Sequence, residues 1–477
     1  MREFVLQNKS ILLLELLLVL LVTLYFKVTS LLILGLLLVV LLGVHPFINI
    51  FVLIFMMAFR EITPGISIGA FSIAPIQLVV LISVFYVIVD VVTGEQFHIP
   101  FRNNIFFRLI LIFYFICFLS VFQATDKRES IRFLRDLFFF LLVAFYIVSF
   151  IRTEGDLKKV VDYWIFSAVV VSVLGIVQLM FNLDYYSLLQ LEHRWRIPQD
   201  AIFFRINSTF RDPNFLANFL LFPLLMLISE LNFTGSRKRV FYLVIIFTAF
   251  MMTASRGAIL SFIMGLFLIY SWKYWGKVLL LRIVKFALLL GVIGVLVVKL
   301  FPHVIFERFF ISQNNVDWSS IYRLFYLYIG VKVIMANFWF GVGINNFPIV
   351  FKKYTPEVIW LSLTQGGQEN VLHGGGYAHN TLLTIWAETG VFNFVTIVVF
   401  VVYLARFLMQ IRKEAILTDE QKALYVGIIV GFAAIGLHIL TLTYLTYHIF
   451  LNVGLIIVSY SIFHNRTKKQ KGLVTDS

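Results

Sequence analysis

Long apolar runs separated by short polar loops make up most of this chain. They lie near 11–26, 30–44, 47–59, 72–92, 105–124, 133–151, 160–181 and 213–229. Further runs lie near 240–254, 257–271, 280–299, 380–405, 424–442 and 448–463. A helix needs roughly 20 apolar residues to cross a bilayer, so the pattern predicts an all-α polytopic membrane protein with about 12–14 transmembrane helices. The runs at 30–44 and 47–59, hinged at His45-Pro46, read as one broken helix or two short ones. No small-residue cleavage site follows the first run, which therefore reads as an uncleaved span. One polar interval stands out: a long loop before the third-last span. It divides the chain into transmembrane helices over 1–299, a loop over 300–378, and C-terminal helices with a basic tail over 379–477.

Composition removes the soluble alternative. Of 477 residues, 61% are hydrophobic and 17% aromatic, with 53 Phe. A soluble domain is roughly half apolar. The single cysteine, Cys117, lies inside an apolar run and has no partner for a disulfide within the chain. The net charge of +14 sits in loops between spans, so it bears on topology before any polyanion, and no nucleic-acid partner is expected. With both termini cytoplasmic, about 22 Lys/Arg fall inside and about 17 outside, several of the latter in the long loop where the rule does not apply. That orientation puts three segments on one extracytoplasmic face: 182–212, the turn Ala254-Ser255-Arg256-Gly257, and the loop 300–378. Its aromatic stretch Ile321–Tyr328 suits a helix lying along the membrane plane as a lid or acceptor platform.

The candidate chemistry lies on that face. A glycine run, Gly374–Gly376, leads through Tyr377-Ala378 to His379-Asn380, where a long apolar helix begins. Asn380 reads as its N-cap. The positive end of the helix dipole disfavours an imidazolium at His379, leaving a neutral ring able to accept a proton as a general base. The plainer reading is a histidine snorkelling at the interface. Asp212 caps and Pro213 opens another helix, so Arg211 projects from a fixed start. Arg256 sits in a tight turn between two spans, with Gly257 to allow the bend. Guanidinium groups held at the boundary suit bidentate capture of phosphate oxygens, although interfacial arginine is also common for topological reasons alone. No Asp-x-Asp pair, His-Glu-x-x-His motif or Walker loop occurs, and neither metal nor cofactor is expected. Gly341-Val342-Gly343 reads as a loop turn, and Glu15, an isolated intramembrane acid, as bundle-facing.

An ordered set of motifs spans roughly 205–400. It comprises Phe210-Arg211-Asp212-Pro213-Asn214, Ser255-Arg256-Gly257, Tyr322-Arg323, Phe340-Gly341-Val342-Gly343-Ile344-Asn345-Asn346-Phe347, and His379-Asn380 followed by Gly390. This set resembles the O-antigen ligase and polymerase superfamily of bacterial polysaccharide biosynthesis. The resemblance implies a GT-C-like fold in the bacterial cytoplasmic (inner) membrane. It also implies transfer of a glycan from polyprenyl diphosphate to a glycan or lipid acceptor at the extracytoplasmic face. His379 would be the catalytic base and Arg211 and Arg256 the diphosphate grip, with Arg323, Asn214 and Asn380 in support. A chain-length regulator and a flippase are implied partners. Asn393 departs from the residues that ligases carry there. Low alanine with high Phe, Ile and Lys favours a polymerase of repeat units over a ligase. A lipid-linked sugar flippase is the rival from another class, but no pseudo-symmetric halves with interrupted helices are found. A non-catalytic envelope scaffold, the third reading, leaves the fixed His and Arg residues without a purpose.

Overall fold

Side-chain caps start many of the helices, and they stand where the apolar runs begin. The computed structural model describes residues 46–63, 66–68, 71–93, 104–181, 205–273, 318–355, 378–414, 417–442 and 445–470. Glu15, the run at 280–299 and the glycines 374–376 lie outside them. In chain order come α1 (Pro46–Phe59), the strands β1 (Ile66–Ile68) and β2 (Phe71–Ile73), α2 (Pro75–Thr93), α3 (Ile105–Ser120), α4 (Lys127–Phe150) and α5 (Glu154–Met180). Then follow α6 (Pro213–Thr234), α7 (Val240–Met252), α8 (Arg256–Lys273), α9 (Trp318–Ala336), α10 (Phe347–Tyr354), α11 (Thr381–Thr389), α12 (Val391–Lys413), α13 (Asp419–His438) and α14 (Tyr447–Gln470). The all-helical expectation holds apart from one small antiparallel hairpin, in which Ile66 pairs with Ile73 and Ile68 with Phe71. Seven of the described helices are long and apolar enough to cross a membrane: α3 to α6 and α12 to α14. The protein is a multi-pass membrane protein.

Helix packing follows residue size. Helix α6 lies along α13, where Gly427 faces Met226 and Ser229, and Gly431 faces Phe222. Small residues let apolar helices approach closely where lipid removes the usual hydrophobic drive. Trp164 of α5 stacks on Phe222 with centroids 4.3 Å apart, filling the adjoining space.

Ties between distant segments sort the helix ends into two groups. At one end, Asn104 donates to the Ile457 carbonyl (2.9 Å), and Glu154 accepts from Gln421 (2.6 Å), Tyr425 (2.7 Å) and Arg466 (3.3 Å). Arg239 pairs in bidentate fashion with Asp162 near the same end. At the other, Thr209 Oγ1 donates to the Ala58 carbonyl (2.5 Å), Ile206 N to the Met252 carbonyl (3.3 Å) and Thr381 Oγ1 to the Leu442 carbonyl (2.7 Å). The candidate residues belong to this second end.

One expectation needs correction. The apolar run after Asn380 is two helices rather than one long one. Gly390, at φ 77° and ψ −177°, separates α11 from α12, and a Cβ there would overlap the Trp339 carbonyl. Val391 N then donates to the Phe338 carbonyl at 3.0 Å, fastening α12 to the segment after α9. Hydropathy shows no break because both halves are apolar. Gly390→Ala combines a disfavoured backbone with a backbone collision, and should cost at least about 2 kcal/mol. A lowered detergent-phase melting temperature would record it.

Candidate functional site

Four non-glycine residues among those described adopt left-handed backbone: Ser208 (φ 51°), Ala254 (φ 48°), Asn345 (φ 59°) and His379 (φ 48°). Each lies in or just before one of the motifs. Such conformations cost of order 1–3 kcal/mol and persist where surrounding contacts impose them.

The turn carrying Arg211 is built from the α6 cap. Asp212 accepts from Asn214 N (2.7 Å) and Asn214 Nδ2 (2.8 Å), with Pro213 in the first turn, as the sequence indicates. Glu61, just after α1, accepts a hydrogen bond from the Arg211 backbone. Burial pushes the Glu61 carboxyl above its ordinary value of 4.5, opposed first by Arg60 and then by Arg211. Glu61 was not anticipated from sequence, because a single loop carboxylate carries no motif.

The turn carrying Arg256 differs from expectation. Ala254, rather than Gly257, takes the left-handed position. Gly257 lies inside α8, where a Cβ would collide with Thr441 Oγ1, so the glycine serves close packing against the 439–441 turn. Ser255 Oγ donates to Asn214 Oδ1 (2.8 Å), and Arg205 Nη2 donates to the same oxygen (3.1 Å) while its Nε reaches the Thr253 carbonyl (2.7 Å). Asn214 thus joins the two arginine-bearing turns.

His379 stands one residue before the α11 cap. Asn380 accepts from Leu383 N at 2.9 Å, so its side chain is engaged in capping. The imidazole is solvent-accessible, with Tyr326 of α9 5.7 Å away between ring centroids. Partial desolvation, then the positive charge of Arg323, lower its pKa from 6.5, while Asp212 opposes them. Arg323 of α9 and Asp212 of the α6 cap therefore both act on His379, which gathers these three motifs. Thr381 bonds to Leu442 and Gly257 abuts Thr441, so the His379 and Arg256 helix starts rest on one turn, 439–442.

Glu388, at the far end of α11, is buried and accepts from Asn345 N (2.8 Å) and Phe347 N (3.0 Å). The loop Gly341-Val342-Gly343 bends around it as expected, with Val342 N on the Ala387 carbonyl and Gly343 N on the Glu388 carbonyl. Burial raises the carboxyl from 4.5 to about 7, against the two N–H groups. A raised folded-state pKa contributes stability that is complete below the unfolded value and lost as pH rises through the folded one. The melting temperature should therefore decline between pH 4.5 and 7, and Glu388→Gln should reduce that slope in parallel thermal scans.

Residues 241–398 match the family model described as O-antigen ligase. That segment resembles the O-antigen ligase family. It contains Arg256, Arg323, His379 and Asn380, whereas Arg211 and Asn214 precede it. The match supports glycosyl transfer of the O-antigen ligase or polymerase type, on a lipid-linked glycan in a membrane. No curated protein matches the chain.

Besides Glu61, three residues behind the site escaped the sequence reading. His438 and His448 are buried in the helix bundle beside Asn218. Ionisable residues within apolar runs at 424–442 and 448–463 were the available signal. Asn218, four residues after Asn214, shares its helix face.

Proposed function

We propose that the protein is a membrane glycosyltransferase that moves a glycan from polyprenyl diphosphate to a hydroxyl acceptor at the extracytoplasmic face, polymerising repeat units into a cell-surface polysaccharide. The observation that carries this reading is the meeting of His379, under the influence of Arg323 and Asp212, with the Arg256 helix start on the 439–442 turn. In this reading His379 takes the proton of the acceptor hydroxyl as its oxygen bonds to the anomeric carbon. The bond from that carbon to the diphosphate breaks, and Arg211 and Arg256 stabilise the charge that gathers on the leaving group. One displacement inverts the anomeric centre, and the proton passes from His379 to solvent. The two guanidinium groups supply the positive charge, so turnover should persist in EDTA.

Both termini are assigned to the cytoplasm of a bacterial inner membrane, which puts the site end outside. Among the described residues the alternation of helix ends supports the C-terminal part of that assignment, because Arg239, Lys273, Arg412, Lys413 and Arg466 belong to the end opposite the site. Transfer to a different lipid or protein acceptor is the ligase variant of the same chemistry.

The test uses purified protein in nanodiscs with a radiolabelled polyprenyl-diphosphate oligosaccharide. Growing glycan with release of free polyprenyl diphosphate supports the polymerase. Transfer only to an added foreign acceptor makes it a ligase. An intact donor that merely crosses the bilayer overturns the enzyme.

A further inference from the structure

Behind the two arginine-bearing turns a chain of hydrogen bonds runs into the helix bundle. Ser255 Oγ lies 3.3 Å from His438 Nε2, and His438 Nδ1 lies 3.0 Å from Asn218 Nδ2. Asn218 Oδ1 lies 2.8 Å from His448 Nε2, and His448 Nδ1 lies 3.0 Å from Thr446 Oγ1. Apart from Arg205, Asp212 and Asn214 at the outer end, the members are buried, with His438 and Asn218 each 0% exposed.

The charged outer end sets the direction of every bond in this chain. Arg205 can only donate, and Asp212 Oδ1 is an acceptor, since it takes the Asn214 N–H. Asn214 must therefore offer its oxygen to Arg205 and its Nδ2 to Asp212, as it does. Ser255 then donates to that same oxygen and has only lone pairs left for His438. His438 must carry its proton on Nε2, and its bare Nδ1 accepts from the Asn218 amide. Asn218 turns its oxygen to His448, which donates from Nε2 and accepts from Thr446 at Nδ1. With these assignments each bond has one donor and one acceptor. Reversing any one of them puts two donors or two acceptors face to face somewhere along the chain.

We propose that His438 is a positioning residue for the transfer reaction, acting through Ser255 and Asn214 on the spacing of Arg211 and Arg256. This rests on the glycosyltransferase reading of the site. His438 suits the role because it ends α13 and its carbonyl accepts from Thr441 Oγ1 at 2.8 Å. Thr441 packs against Gly257, one residue from Arg256, and Leu442 holds Thr381, two residues from His379. One residue thus links the diphosphate-facing turns, through its ring, to the connection beneath the base, through its carbonyl. Packing would be met by any residue of similar volume, whereas positioning needs a donor at the Nε2 location.

The experiment compares wild type with His438→Leu, His438→Gln and Ser255→Ala in nanodiscs. It measures kcat and KM for the lipid-linked donor, together with melting temperature. Leucine fills space but donates nothing, and Ser255→Ala removes the acceptor of the same bond. Each should raise the donor KM about tenfold with a smaller change in kcat, since one misdirected bond displaces rather than removes the arginines. Glutamine, whose Nε2 can reach Ser255, should recover most of the loss. The double variant His438→Leu/Ser255→Ala should be no worse than the poorer single one. Should His438→Leu fail to fold, the smaller change Ser255→Ala decides. A wild-type KM in Ser255→Ala, or a glutamine variant no better than leucine at equal melting temperature, overturns the proposal. Absence of transfer by wild type overturns the glycosyltransferase reading, and this inference with it.

Discussion

Replacing His379 with alanine should abolish transfer while leaving donor binding in place. A general base contributes about 10²–10⁴-fold, so kcat should fall by that factor with little change in the affinity for polyprenyl diphosphate. Stability should change little, because alanine keeps the Cβ that already occupies the left-handed position and the residue is solvent-accessible. The pH profile supplies the sign. Desolvation and Arg323 lower the imidazole pKa from 6.5, so the ring stays neutral to a lower pH than an ordinary histidine. The acidic limb of kcat against pH should therefore lie below 6.5. Arg323→Gln takes away a positive neighbour, favours the imidazolium and should move that limb upward. Stopped-time assays with labelled donor across pH 5–8 would locate it in both proteins. A limb that stays put in Arg323→Gln would disconnect His379 from the reaction, whatever the height of the plateau.

Arg211→Ala and Arg256→Ala should each lower kcat/KM for the donor by about 10²–10³-fold, the usual loss when one donor to a developing negative charge is removed. Lysine at either position should restore only part of it. An ammonium is a point charge and lacks the planar fork that holds two phosphate oxygens at once. The expected signature is weaker binding of polyprenyl diphosphate, measured by displacement of a fluorescent analogue, with helix content unchanged. Arg205 makes a useful contrast. Its guanidinium donates to the Thr253 carbonyl and to Asn214, so Arg205→Ala should lower the melting temperature and loosen both turns together. Equal and selective loss of donor binding in all three variants would remove the distinction between grip and scaffold.

The helix starts were legible because their causes are local. Asn380 caps by reaching Leu383 N, and Asp212 by reaching Asn214 N, each within three residues along the chain. Pro213 in the first turn and the bend at Gly341-Val342-Gly343 follow from the same short-range rules. What misled was also local. Gly257 looks like the residue that permits a turn, but Ala254 takes the unusual backbone, and Gly257 answers to Thr441, far away in sequence. Gly390 appeared to end a motif in a continuous apolar helix, yet it breaks that helix because Trp339 crosses over it.

By itself the sequence determined that this is a helical multi-pass membrane protein, since a bilayer admits few ways of satisfying backbone polar groups and apolar length is read directly. It also determined which motifs carry His and Arg at helix starts. Only the tertiary structure decided what those residues stand beside. Glu61 under Arg211, Arg323 near His379, and the chain from Ser255 through His438 to His448 depend on partners as far as 230 positions apart. Hydrogen bonds of that kind require the helices to be packed first. Packing is set by shape and volume across the whole bundle, which no local pattern in the chain encodes.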